Sequence, residues 1–138
     1  MANIKELLRK EADLSLSFGD YTLNEKKKLA DFECCGALYK VKTYKDITKL
    51  EKNGEFVYES TPGTAVNAFK VSDEGINFFV EGIGDTQVTV GVEPDAEYQV
   101  SVDGEDLGVI KTNLGGKLTI ALELAAGTVK EVKISGKN

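Results

Sequence analysis

The side chains that do chemistry are unevenly supplied in this sequence. Acids come in three groups: Glu93, Asp95 and Glu97; Asp103, Glu105 and Asp106; and Asp73 with Glu74. Two carboxyls facing each other across a cleft are what a glycosidase needs. All three groups fall at turn signals, where an Asp bonds nearby backbone N–H groups, so they read as turn acids rather than as a catalytic pair. Their spacing also lacks the ligand series and closing Glu of a calcium loop. There is no His, and Arg9 is the sole guanidinium among 17 basic residues. That removes Ser-His-Asp and Cys-His catalysis, His-ligated metals and arginine clamps for phosphates or carboxylates. Cys34 and Cys35 are adjacent. Strand neighbours point to opposite faces, so this pair forms no ordinary disulfide, and two thiols do not make a zinc site. One buried and one surface Cys is the expected outcome. No catalytic residue, metal or cofactor is assigned.

Binding chemistry is a little better provided. Gly82-Ile83-Gly84-Asp85 and Gly115-Gly116-Lys117 match neither the Walker spacing nor the dinucleotide fingerprint, and no helix pattern follows them. They read as turns. Lys26-Lys27-Lys28 is the only basic run, and a chain of net charge −6 repels phosphate backbones, so nucleic acid is excluded as a partner. Without Trp, a ligand platform has to be built from Tyr or Phe. Tyr39, Tyr44 and Tyr58 lie on neighbouring predicted strands with Lys40, Lys42 and Lys45 close in sequence, and are the candidate ligand-binding residues.

The elements that must position these residues are read from periodicity. Ile4, Leu7, Leu8 and Ala12 share a face at helical spacing behind Asn3 and Glu6, a capping-box pair. A short helix within residues 1–12 is therefore expected, too short to stand alone and so docked on the rest or on a partner. From Leu14 the period becomes two, in Leu14-Ser15-Leu16-Ser17-Phe18. Asn24 to Asp31 reads as a solvated connection or a helical turn. Further alternating runs are Leu38 to Tyr44, Ile76 to Val80, Val88 to Val92, Tyr98 to Val102 and Leu118 to Leu124. Asn53-Gly54 and Asp103-Gly104 are hairpin signals, because both positions of a type I′ turn need positive φ. About twelve short strands with turn signals every ~8–12 residues predict an all-β fold, an antiparallel β-sandwich or jelly roll over residues 13–138. A seam is conceivable near 82–85, but one continuous core is preferred.

Composition fits that picture. At 138 residues the chain is one ordinary domain, and with 41% apolar and 29% charged residues it reads as globular. No secretory signal is visible after Met1 and no run approaches a membrane span, so a cytoplasmic protein without a membrane partner is expected.

Two likenesses bear on function. The run Tyr98, Val100, Val102-Asp103-Gly104, Thr112 and Leu118-Thr119-Ile120 resembles the closing strands of immunoglobulin-like or fibronectin-like sandwiches found beside carbohydrate-active domains. Over nearly the whole chain, a second resemblance is carried by Ser17-Phe18-Gly19-Asp20-Tyr21, Leu38-Tyr39-Lys40-Val41-Lys42-Thr43, Phe56-Val57-Tyr58-Glu59-Ser60 and Thr112-Asn113-Leu114-Gly115-Gly116-Lys117-Leu118. It is to short bacterial proteins often labelled endosialidase. The resemblance implies a β-rich architecture and self-assembly, and it brings no catalytic motif with it. The leading expectation is a non-enzymatic binding or assembly protein whose partner is itself or another protein. A carbohydrate-binding module taking a glycan is the alternative, and a glycan hydrolase ranks third.

Overall fold

The computed structural model describes residues 4–136. Its strands are, in chain order, β1 (Leu8–Lys10), β2 (Leu16–Phe18), β3 (Lys27–Cys34), β4 (Ala37–Tyr44), β5 (Ile47–Lys52), β6 (Glu55–Thr61), β7 (Thr64–Ser72), β8 (Gly75–Gly82), β9 (Thr86–Gly91), β10 (Glu97–Val102), β11 (Glu105–Lys111), β12 (Lys117–Leu122) and β13 (Val129–Gly136). They form two antiparallel sheets packed face to face, one ordered β1-β2-β7-β8-β13-β10-β11 and the other β12-β9-β6-β5-β4-β3. The all-β sandwich expected from periodicity is thus present. Strands from both sides of residues 82–85 pair within both sheets, β8 with β13 and β6 with β9.

The helix expected within residues 1–12 is not there, and no helix occurs among the described residues. Residues 1–3, with the expected cap Asn3, lie outside them. Beyond that point the backbone pairs instead of coiling. The Ile4 N–H donates to the Gly19 carbonyl (3.0 Å), the Gly19 N–H donates to the Leu7 carbonyl (3.1 Å), and β1 then pairs with β2, Leu8 opposite Phe18. Two and a half helical turns cannot repay their own nucleation, whereas an edge strand gains its hydrogen bonds at once from a strand already in place. Ile4 and Leu8 are buried all the same. An apolar residue every fourth position suits either a helix face or a single turn leading into a strand: the Leu7 N–H donates to the Ile4 carbonyl (2.9 Å), and the chain leaves that turn at Leu7, φ 72°, to enter β1. Of the stretch Asn24 to Asp31, expected to be a solvated connection or a helical turn, residues 24–26 are a connection outside any strand and residues 27–31 belong to β3.

The hairpin turns follow the residues that tolerate positive φ. Asn53 and Gly54 sit at 50° and 81°, and Asp103 and Gly104 at 51° and 82°. Cys35 and Gly36 form a third such turn, at 55° and 81°. That turn leaves Cys34 in the core and Cys35 exposed, with their Sγ atoms still in contact.

Between the sheets, Phe18, Tyr58, Phe69 and Phe78 pack mostly edge to face, with ring centroids 5.2–6.1 Å apart. One end of this core is closed by buried hydroxyls. Thr48 Oγ1 donates to the Thr64 carbonyl (2.8 Å) and accepts from the Thr64 N–H (3.1 Å). Its single proton being used, it accepts a second bond from the Thr43 hydroxyl (2.8 Å), which in turn accepts from the Asp20 N–H (2.9 Å). Thr64 Oγ1 lies 2.8 Å from both the Tyr58 and the Ser60 hydroxyls. Burial pushes the Tyr58 phenol far above its ordinary pKa, against a smaller downward pull from Thr64 and Ser60. Among the described residues no such network of buried hydroxyls closes the other end of the sandwich.

Candidate functional site

At the unplugged end the sheets part around a cavity of about 460 Å³. Leu16 and the stretch Phe69, Lys70 and Val71 supply one wall; Tyr39, Lys52, Val57 and Gly91 supply the other. Asp13, Leu14 and Cys35 complete the rim. The elements deliver these side chains for identifiable reasons. Tyr39 stands opposite Lys52 across β4 and β5, which places an aromatic ring and an ammonium at the same level of the mouth. Phe69 stands opposite Leu16 and forms the floor, in contact with the central rings. In β6, Leu50 pairs with Tyr58 and Glu51 with Phe56, so Val57 is a bulge residue without a partner in the register. The bulge turns it onto the cavity wall.

Leu14 is the unusual member of the rim. The β1–β2 loop closes with the Glu11 N–H donating to the Ser15 carbonyl (2.8 Å) and the Leu14 N–H donating to the Glu11 carbonyl (3.0 Å). Such three-residue loops end in a left-handed residue, normally Gly. Here a leucine occupies that position at φ 70°, with 58% of its surface in water. Asp13 holds the loop, its Oδ1 accepting from the Ser15 N–H (3.0 Å) and hydroxyl (2.6 Å). The Ser15 hydroxyl bond, more than the Ser15 backbone bond, keeps the Asp13 carboxyl below its ordinary pKa. Val71, 66% exposed, stands on the same rim. Burial lifts the Tyr39 phenol, and to a greater extent than its cysteine neighbours do, so it stays a neutral donor. Desolvation likewise raises the Cys34 thiol, ahead of its contact with Cys35, whose Sγ lies 3.5 Å away.

The structure separates the three tyrosines picked from sequence. Tyr58 is fully buried, its ring in the aromatic cluster and its hydroxyl among the threonines, so no ligand reaches it. Tyr39 and Tyr44 are on the same strand five residues apart and therefore on opposite faces of the sheet. Tyr44 lies on the outer face, with Lys26 Nζ 5.7 Å from its ring centroid. Only Tyr39 belongs to the cavity. Leu14, Lys52, Val57, Phe69 and Lys70 were not marked by sequence; the one available signal was an Asp-Leu-Ser loop lacking the glycine such a turn prefers.

The acid groups serve turns and edges. Asp103 Oδ1 accepts from the Glu131 N–H (2.8 Å) and Asp106 Oδ1 from the Gly108 N–H (2.7 Å), while Asp95 pairs with Lys111 at 3.2 Å. In the Gly115-Gly116 turn, Asn113 Oδ1 accepts from the Gly115 N–H (2.9 Å) and the Lys117 N–H (3.3 Å), which uses donors that a phosphate would need. Among the described residues no group of three His, Cys, Asp or Glu is placed to hold a metal ion, and no helix is long and apolar enough to cross a membrane. Comparison with known proteins finds no matching family model, curated protein or solved structure.

Proposed function

We propose that this is a non-enzymatic binding protein that takes a small amphipathic, anionic ligand into the open end of its sandwich. The observation that carries the reading is Leu14. A leucine held in the left-handed region forfeits on the order of 1–2 kcal/mol relative to a relaxed backbone, and an exposed one recovers little of that by packing. Strain of this kind, borne beside a cavity, supports a role there that glycine would not fill. With Val71 it offers an apolar lip, while Lys52 and Lys70 offer cations for a carboxylate or sulfonate. Among the described residues, Asp13 is the only acid on the lining, so no pair of carboxyls spans the cavity for hydrolysis.

The test uses 8-anilino-1-naphthalenesulfonate, an aromatic anion of the proposed class. Its fluorescence should rise saturably with one site per chain. Leu14→Asn, which keeps a residue that accepts positive φ, and Lys52→Glu should each weaken it about tenfold, equivalent to about 1.4 kcal/mol. Lys45→Glu, away from the cavity, should leave it unchanged. Non-saturating fluorescence, or equal affinity in all three variants, rejects the site. Tyr39 favours one second reading: an amphipathic ring on a polar-rimmed wall also suits a sugar. A glycan array decides it, with binding expected to vanish in Tyr39→Ala.

A further inference from the structure

Charge in this molecule is segregated in a way that the net value conceals. Residues 25–52 carry eight lysines against five acids, a net of +3, whereas residues 53–138 carry fourteen acids against six lysines, a net of −8. The fold turns this into two surfaces. Lys28, Lys42 and Lys49 are directly opposite one another across β3, β4 and β5, a row of three ammonium groups on the outer face of one sheet that ends at Glu59, opposite Lys49 on β6. Lys26 and Lys40 flank the row, and none of the five forms an ion pair among the described residues. Like charges placed directly opposite in a sheet are destabilising, and Lys42 faces one on each side, Lys28 and Lys49, with Glu59 reaching only the far end of the row. Lys42 registers it: desolvation first, then the fields of Lys26, Lys28, Lys49 and Lys40, push its ammonium below the ordinary lysine pKa.

The complementary surface lies at the other side of the sandwich, where β11 and β12 are the edge strands of the two sheets. Between them runs a groove bearing Asp103, Glu105 and Glu123, with Lys130 as its single cation. Leu107, in the same groove, and Val109 beside it on β11 are 45% and 42% exposed. An edge strand carrying exposed aliphatics is a surface on which another chain tends to settle.

We propose that copies of this chain associate head to tail, the acidic groove between β11 and β12 of one copy seating on the lysine row of β3–β5 of the next. Charge complementarity names the occupant: on their own sheet the three ammonium groups meet one directly opposed carboxylate, Glu59 against Lys49, while a larger anionic surface stands at the opposite edge of the sandwich, where it serves a neighbouring copy's lysines. The contact is heterologous, because the two patches differ, and so it propagates into rings or open chains of subunits rather than closing a symmetric dimer. It is independent of the cavity at the open end and survives if that reading fails.

Sedimentation and light scattering of the full chain test the idea. Between about 20 mM and about 500 mM salt the Debye length falls from about 20 Å to about 4 Å, so association should be present at the lower concentration and absent at the higher. The expected mass rises above 14.9 kDa with protein concentration in low salt and returns to 14.9 kDa in high salt. Two variants identify the surfaces: Lys28→Glu/Lys42→Glu/Lys49→Glu, and Glu105→Lys/Glu123→Lys. Each alone should be monomeric in low salt and melt like the parent, since all five side chains point outward. Mixed in equal amounts they should associate again, because each new charge then meets its opposite. A parent that is monomeric in low salt, variants that still associate, or a mixture that stays monomeric overturns the proposal. Inorganic polyphosphate bound by a monomeric parent would show instead that the lysine row serves a different anion.

Discussion

Replacing Thr48 by valine tests whether the buried hydroxyls or the apolar core hold the plugged end together. The two side chains are nearly the same shape, so the packing survives and the hydroxyl alone is lost. Thr48 Oγ1 makes three bonds, two with the Thr64 backbone and one with Thr43, all among residues with no exposed surface. Its removal leaves the Thr64 N–H and the Thr43 O–H without this acceptor, and strips one bond from the Thr64 carbonyl. An orphaned buried donor costs about 1–3 kcal/mol, so the sum is roughly 3–5 kcal/mol. Tyr58→Phe provides the contrast. It removes one bond to Thr64 Oγ1, which keeps Ser60, and should cost about 1 kcal/mol. Urea denaturation with an unchanged m-value measures both. In the double variant Thr43→Val/Thr48→Val one orphaned donor disappears, so its cost should fall below the sum of the two singles by about 1 kcal/mol. Should Thr48→Val cost no more than Tyr58→Phe, or the double variant be additive, the network is not a unit and the plug is held by packing.

Three further outcomes follow from backbone and charge. Gly54 and Gly75 both have positive φ, but a Cβ at Gly54 meets nothing within 4 Å, whereas one at Gly75 falls 1.9 Å from the Ile134 carbonyl oxygen. Gly54→Ala should therefore cost only the conformational ~1 kcal/mol, and Gly75→Ala clearly more, as shifts in melting temperature will show. At Leu14 the replacement Gly should be more stable than Ala by about 1 kcal/mol, since both lose the same side-chain contacts and only glycine relieves φ 70°. The Glu11 carboxyl is held below its ordinary pKa by the Ser17 hydroxyl first and Arg9 second. A depressed folded pKa contributes stability that is present above the unfolded value, 4.5, and is lost as pH falls through the folded one. Melting temperature should thus drop less on acidification below pH 4.5 in Glu11→Gln than in the parent, and equal drops would remove Glu11 from the acid response.

What the sequence revealed and what it hid divide along a physical line. Alternation and Asn-Gly or Asp-Gly pairs are local, and they located most strands and two of the three type I′ turns, because a pleated strand and a positive-φ pair constrain residue type directly. The N-terminal segment escapes a local reading because Ile4 and Leu8 satisfy a helical spacing as well as a single turn leading into a strand; only the neighbour β2, a non-local fact, decides between them. The same holds for the tyrosines. Position along the chain put Tyr39, Tyr44 and Tyr58 on adjacent strands, but strand parity sent Tyr44 outward, and Tyr58 was drawn into the core by hydroxyl partners that sequence does not pair in advance.

The two surfaces argued for function were hidden for a different reason. A cross-strand row is assembled from one residue per strand, so Lys28, Lys42 and Lys49 look unremarkable along the chain, and only the register makes them neighbours. The rim of the cavity is likewise drawn from several strands and the β1–β2 loop. On that rim Leu14 departs from a local rule, standing at φ 70° where a glycine relaxes the turn. Departures of that kind are where a sequence serves something other than its own folding. The lysine row departs from the cross-strand rule in the same sense. That both violations stand at surfaces, one beside a cavity and one facing outward from a sheet, is what makes binding rather than stability the economical reading of each.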